Sequence, residues 1–183
     1  MCKFVKSLLL SLVLLLSAGV YASAFDGQLS IDGQKLYLNG QGPRKQAFLT
    51  VYDTALYLTE LGSDAKAILE ADHPMAIRLV VRSRFATSER ISAAFREGLE
   101  KSTGGKVEAI QPQTDAFLDN FESGVVKNDS FEFIYVPGEG TTVYKNGQAS
   151  SPIDGLEFKK ALFGIWLSDT PVASRLKSQL LGH

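Results

Sequence analysis

The segment from Phe48 to Leu58 constrains the fold of this chain most strongly, because it has the pattern of a β-strand that is apolar on both faces. Its aromatic and β-branched residues favour an extended backbone. A strand with two apolar faces must be covered on both sides, so its place is near the middle of a sheet. The apolar members of the segment are Phe48, Leu49, Val51, Tyr52, Leu56, Tyr57 and Leu58.

The rest of the pattern predicts early strands, two groups of helices and a late hairpin between them. Asp32-Gly33 indicates a tight turn, and the polar, glycine-rich run 39–43 is typical of a break before the central strand. Further strands are predicted over 75–84, 130–136 and 141–145, and helices over 64–71, 87–102, 114–122, 155–167 and from 170 onward. This order predicts an α+β fold with one sheet covered by helices on one side.

The first 24 residues have the pattern of a secretory signal peptide. Two lysines precede a leucine-rich apolar run (7–20), and Ala22-Ser23-Ala24 has the small side chains of a signal-peptidase site. We therefore expect cleavage after Ala24, which leaves one domain of residues 25–183 in the periplasm. The alternative is an uncleaved membrane anchor, although the apolar run is short for a bilayer, which needs about 20 residues.

The composition of the mature chain argues against several classes of function. The full chain has 19 basic and 20 acidic residues, and two of the lysines lie in the predicted signal peptide, so the mature domain is acidic overall. A nucleic-acid surface would normally be strongly basic. Cys2 lies in the signal peptide, so no disulfide can form and the fold must rest on its core. With only His73 and His183 and no thiolate, we expect no metal site.

Two groups of charged residues could each be either a functional site or simply a solvent-exposed face. The acidic residues of 115–122 could form paired carboxylates on one helix face, but they also suit a solvated face. Arg78, Arg82 and Arg84 could form an anion patch or the exposed face of a half-buried strand. The sequence contains no glycine-rich phosphate loop, nucleophile elbow or triad spacing, so we expect no catalytic residue.

Arg44 and Tyr52 form the strongest candidate site. An Arg at the mouth of a buried strand either pairs with an acid, here Asp53 or Glu60, or awaits an anionic ligand, because an unpaired buried guanidinium is costly. A guanidinium and a phenol together suit a carboxylate. Because eight residues of straight strand span about 26 Å, the chain must bend or turn between Arg44 and Tyr52 if both hold one ligand.

Four segments resemble, in order, motifs of the chalcone-isomerase-like superfamily. The resemblance covers nearly the whole mature chain, and its last segment is most similar to the secreted bacterial branch. It implies an open-faced β-sandwich, in which a large antiparallel sheet carries helices on one face and a ligand cleft lies between them. The segments are LNGQGPRKQAFLTVYDTALYL (38–58), RFATSERISAAFREGL (84–99), FEFIYVPGEGTTVYKNG (131–147) and FKKALFGIWLSDTPVASRLKSQLLG (158–182).

The resemblance implies an anion-binding pair without the catalytic groups of the true isomerases. The ligand-holding Arg of the family matches Arg44, and a Thr of the isomerases falls on Tyr52, where the fatty-acid-binding branch also has Tyr. The catalytic Tyr of the isomerases is replaced by Thr87, and their cleft Asn falls near Ala94, so two polar groups that orient the substrate are missing. The ligand-binding residues expected on this basis are Arg44, Tyr52 and Thr87.

The sequence therefore predicts a non-catalytic protein that binds a fatty acid or a similar amphipathic carboxylate. We expect this protein to need no cofactor and no metal ion and to bind no nucleic acid. An apolar cleft with few polar groups suits such a ligand. Two alternatives stay open. One is an isomerase, an intramolecular lyase that cyclises a chalcone-like phenol, and the other is a structural or interaction protein of the cell envelope that has no ligand.

Overall fold

The computed structural model describes residues 25–183, so the predicted signal peptide lies outside the described residues. Seven strands form one antiparallel sheet in chain order. They are β1 (Gln28–Ile31), β2 (Gln34–Gln46), β3 (Leu49–Leu58), β4 (Met75–Val81), β5 (Ser130–Val136), β6 (Gly140–Lys145) and β7 (Gln148–Ala149). The helices are α1 (Ala65–Glu70), α2 (Ser88–Ser102), α3 (Gln111–Leu118), α4 (Leu156–Leu167) and α5 (Ser174–Leu180). Within the described range, no helix is long and apolar enough to cross a bilayer.

The main core lies between one face of the sheet and the helices, which confirms the predicted α+β arrangement. Phe95 of α2 is central to it. Its ring lies 5.0 Å from the rings of Phe117 and Phe121. It also lies 5.6 Å from Phe133 of β5 and 6.0 Å from Trp166 of α4. Aromatic pairs of this kind add about 0.5–1.5 kcal/mol each beyond the burial of their area, so this cluster joins three helical segments to the sheet.

The opposite face of the sheet is covered by the start of the domain. Phe25 is buried there with Leu36 and Tyr57, and the Tyr57 hydroxyl donates a 2.9 Å hydrogen bond to the carbonyl of Asp26. Arg78 lies on this face and pairs with both Asp26 and Glu132. β3 is therefore covered on both sides, as its sequence predicts.

The β2–β3 region differs from the prediction. The run 39–43 is part of β2 rather than a break, and the central strand begins at Leu49, after a two-residue turn at Ala47-Phe48. A Cβ on Gly40 would lie 2.1 Å from the carbonyl oxygen of Gln179. The glycine therefore lets the end of α5 approach β2, and it does not mark a turn.

Several predicted boundaries are also wrong. β4 ends at Val81, and the predicted helix 114–122 is α3 followed by a 3₁₀ turn at Asp119–Phe121. The last helix begins at Ser174 rather than at Thr170. Thr170 instead donates its hydroxyl to the carbonyl of Lys101, which holds the loop before α5 against the end of α2.

Candidate ligand-binding site

A cavity of about 400 Å³ lies between the β2–β3 hairpin, the segment that follows β4, and helix α2. This volume is within the range of small-molecule sites. Most of the lining is apolar, and the polar residues converge from several elements. The deeper apolar lining includes Val51, Ala86, Ile91, Phe95, Ile165 and Val172, and the polar lining residues are Arg44, Gln46, Tyr52, Ser83 and Arg90.

Arg44 and Tyr52 lie opposite each other in the cavity wall. The pairing of β2 with β3 makes them direct partners across the hairpin. Directly opposed residues of antiparallel strands have Cα atoms about 4.5–5.5 Å apart, and their side chains lie on the same face. The turn at Ala47-Phe48 thus removes the distance that eight residues of straight strand would impose, and both side chains line one cavity.

Arg44 forms no ion pair among residues 25–183, and its charge only weakly lowers the pKa of Glu97, whose main partner is Lys101. Asp53, one of the two predicted candidates, pairs instead with Arg82 at 2.6 Å. An ion pair between Arg44 and Glu60 is likewise absent from the described part of the chain. The Nη1 of Arg44 donates to the carbonyl of Lys45. The guanidinium is half-buried beside the cavity and keeps further donors for a ligand.

Tyr52 is buried, and its hydroxyl accepts a 3.0 Å hydrogen bond from the indole Nε1 of Trp166. Desolvation raises the pKa of Tyr52 to about 12, although the Trp166 hydrogen bond and the charge of Arg44 oppose the shift. The hydroxyl therefore keeps its proton at neutral pH. Because an indole only donates, that proton stays available to an acceptor in the cavity.

Thr87 is not brought together with Arg44 and Tyr52. It is the exposed N-cap residue of α2 and does not line the cavity. Its hydroxyl contacts Glu89 and lowers the pKa of that carboxyl. Ala94, which falls near the position of the family's cleft Asn, does line the cavity and offers it only a methyl group.

Arg90 also lines the cavity, and the sequence patterns above do not single it out. Arg90 lies four residues before Ala94 on α2, so the two share a helix face. Its Nη1 donates a 3.2 Å hydrogen bond to the carbonyl of Phe85, another lining residue. The spacing from Ala94 was a signal that could have located it.

The polar part of the cavity lining is basic and carries no acidic side chain. Two guanidiniums and a phenol line the cavity, and no Asp, Glu or His does. Within residues 25–183 there is no group of three or more His, Cys, Asp and Glu side chains placed to hold a metal ion. The arrangement can orient one end of an amphipathic anion and enclose its apolar body.

The chain belongs to the chalcone isomerase-like family, whose model matches residues 18–182. Among solved structures, it is similar to the crystal structure of a fatty-acid binding protein from Arabidopsis thaliana. The two share 20% sequence identity with a TM-score of 0.67, over 86% of this chain and 90% of that chain. This likeness shows that they share a fold. No curated protein matches the sequence.

Proposed function

We propose that the protein binds a fatty acid or a similar amphipathic carboxylate without converting it, and that it does so in the periplasm after export. The observation that carries the proposal is the direct pairing of Arg44 with Tyr52 on the wall of a mostly apolar cavity. The likeness to a protein described as fatty-acid binding supports the same class of ligand.

In the proposed complex, the ligand carboxylate accepts hydrogen bonds from the Arg44 guanidinium and from the Tyr52 hydroxyl. Charge-assisted hydrogen bonds to a carboxylate are about twice as strong as neutral ones. The acyl chain packs on the apolar lining provided by α2 and α4, which includes Phe95 and Ile165. The ligand would supply the direct ion-pair partner that Arg44 lacks within the described domain.

Binding without catalysis is proposed because the cavity lining offers no group to move a proton at neutral pH. No Asp, Glu or His side chain is among the residues that line the cavity. Burial raises the pKa of Tyr52 to about 12. General acid–base catalysis requires a group whose pKa lies near the working pH, within hydrogen-bond reach of the substrate.

The test compares a saturated fatty acid with the alcohol of the same chain length by calorimetric titration into the lipid-free protein. We expect the acid to bind more tightly than the alcohol. Arg44→Ala should weaken binding of the acid about ten- to a hundredfold, because a hydrogen bond to a charged group contributes roughly 1.5–3 kcal/mol. Binding of the alcohol should change little.

Equal affinity for the acid and the alcohol would contradict the proposed role of Arg44, and failure to bind either would contradict the function. Turnover of a chalcone above the spontaneous rate, lost in Arg44→Ala, would favour an isomerase instead.

A further inference from the structure

The opening of the cavity exposes large apolar side chains to water. Phe48, at the tip of the β2–β3 hairpin, is 90% exposed, and Phe85 and Leu49 are 49% and 41% exposed. All three also line the cavity, so they stand at its mouth. Exposed apolar groups clustered in this way mark interaction sites on soluble proteins.

The same mouth is positively charged, although the chain as a whole is slightly acidic. Segments 44–49 and 82–90, which supply most of it, contain five basic residues and a single acidic one, Glu89. Only Arg82 among these five has an ion-pair partner in the described domain, Asp53. Arg44 and Arg90 line the cavity, while the neighbouring residues Lys45 and Arg84 are exposed.

We propose that this mouth surface, made of residues 44–49 and 82–90, docks on a lipid bilayer that contains anionic lipid. Aromatic and aliphatic side chains that enter the headgroup region, together with flanking Lys and Arg, are the two contributions that hold peripheral proteins on anionic membranes. Phe48 and Phe85 provide the first, and Lys45 and Arg84 provide the second.

A second copy of this chain fits the surface less well. In a two-fold dimer the same patch meets itself, so the cations of one copy would face the cations of the other. An anionic bilayer has the complementary charge instead. Docking in this orientation would also turn the cavity opening toward the membrane, so that an acyl chain could pass between bilayer and cavity without crossing water. This last consequence rests on the proposed function, but docking itself does not.

The test measures cosedimentation of the lipid-free mature protein with vesicles of phosphatidylcholine alone or mixed with phosphatidylglycerol. We expect binding to the mixed vesicles that weakens as salt is added. The double variant Lys45→Glu/Arg84→Glu should lose about a hundredfold or more in affinity, since each cation near an anionic surface contributes about a fivefold factor and each reversal changes the charge by two. Phe48→Ser should weaken binding by about tenfold or more.

The chain offers matched controls at the other end of the same hairpin. Leu61→Ser removes an apolar side chain that is 67% exposed, just after β3, and Lys35→Glu reverses a charge near the start of β2. Both should bind vesicles as the wild type does. The Lys45→Glu/Arg84→Glu protein should still bind a soluble fatty acid, which separates failure of docking from failure of the ligand site.

Three results would overturn the docking proposal. They are no binding to either kind of vesicle, equal binding to neutral and anionic vesicles, and equal losses in the mouth variants and their controls. Sedimentation velocity in the absence of vesicles tests whether a second copy of the chain binds the mouth surface instead. A dimer that Phe48→Ser dissociates would assign the mouth surface to a second copy of the chain.

Discussion

At the scale of single residues, the two predicted ligand-binding residues, Arg44 and Tyr52, should contribute differently to the stability of the lipid-free fold. Arg44 has no ion pair within the described domain, so Arg44→Ala should leave the free energy of unfolding of the lipid-free protein nearly unchanged. Tyr52→Phe removes the acceptor of the buried Trp166 N–H. An unsatisfied buried donor costs about 1–3 kcal/mol, so this variant should unfold at a lower denaturant concentration. Urea denaturation of both lipid-free variants checks this, and a large loss in Arg44→Ala alone would contradict it.

Lys159 is a second residue whose environment has a measurable consequence. Its side chain is fully buried, and its ammonium donates to the carbonyls of Ile68, Leu69 and Ala71 at the end of α1. Desolvation nevertheless lowers its pKa to about 8. The sequence did not reveal this, because Lys159 and Lys160 are adjacent and only the packing of α4 decides which one is buried.

The lowered pKa of Lys159 predicts that the protein becomes more stable as the pH rises above 8. The folded state then releases a proton that the unfolded chain holds up to about pH 10.5. The slope is at most about 1.4 kcal/mol per pH unit. Above pH 10 the buried hydroxyls of Tyr52 and Tyr135, with pKa values raised to about 12, act in the opposite direction. Urea denaturation between pH 8 and 10 should show the slope in the wild type and its loss in Lys159→Met. Identical profiles would contradict it.

At the scale of elements, the sequence located the central strand and the late hairpin but misplaced the hairpin that builds the site. The turn at Ala47-Phe48 lacks the Gly, Asn or Asp that normally marks a two-residue hairpin, even though Ala47 adopts a positive φ of 51°. The run 39–43 has the composition of a turn, but its glycines serve the contact with α5. A local pattern cannot distinguish a glycine required by a turn from one required by a distant helix.

The contact between β2 and α5 gives a prediction for Gly40. A Cβ at this position would lie 2.1 Å from the Gln179 carbonyl oxygen and 2.6 Å from that of Leu180, so α5 must move. We expect Gly40→Ala to destabilise the fold by about 1–3 kcal/mol or more. Gly27→Ala is the control, since its new methyl group would meet nothing within 4 Å. Thermal unfolding of the two variants should separate them clearly, and similar melting temperatures would show that α5 yields easily.

At the scale of the whole molecule, the family resemblance supplied more of the site than the local patterns did. The order of four motifs predicted the sheet and the helical layer, and it pointed to Arg44, which lines the cavity. Local patterns alone left both an ion pair and a ligand open for this residue. Thr87 and Arg90 show that a match to a functional position of the family does not by itself place a residue in the cavity. Thr87 matches a family position yet lies outside the cavity, while Arg90, one turn into α2, lines it. Which residue faces the cavity depends on how α2 rotates against the sheet, and that is decided by the packing of Phe95 and its neighbours.

The covering of the second sheet face predicts that the folded domain needs Phe25 and Asp26. Phe25 is buried against this face, and the carbonyl of Asp26 accepts the hydrogen bond of Tyr57. Cleavage after Ala24 would leave both residues in place. A domain that starts at Gln28 loses the burial of a Phe side chain, about 1.5–3 kcal/mol, and leaves the hydroxyl of Tyr57 without its acceptor. Asp26→Ala is the matched control, because it removes only a surface ion pair with Arg78, which contributes at most about 1 kcal/mol.

The Ala22-Ser23-Ala24 pattern places the expected cleavage just before these residues, so protein recovered from the periplasm of a Gram-negative host should have Phe25 at its N-terminus. Urea denaturation should place the form that starts at Gln28 below both the full mature domain and Asp26→Ala. Mass spectrometry of the exported protein gives the cleavage site directly. A mature form that begins beyond Asp26 with undiminished stability would mean that the second face of the sheet does not need its N-terminal cover. A form that keeps residues 7–20 and sediments with membranes would mean that the leader is an anchor.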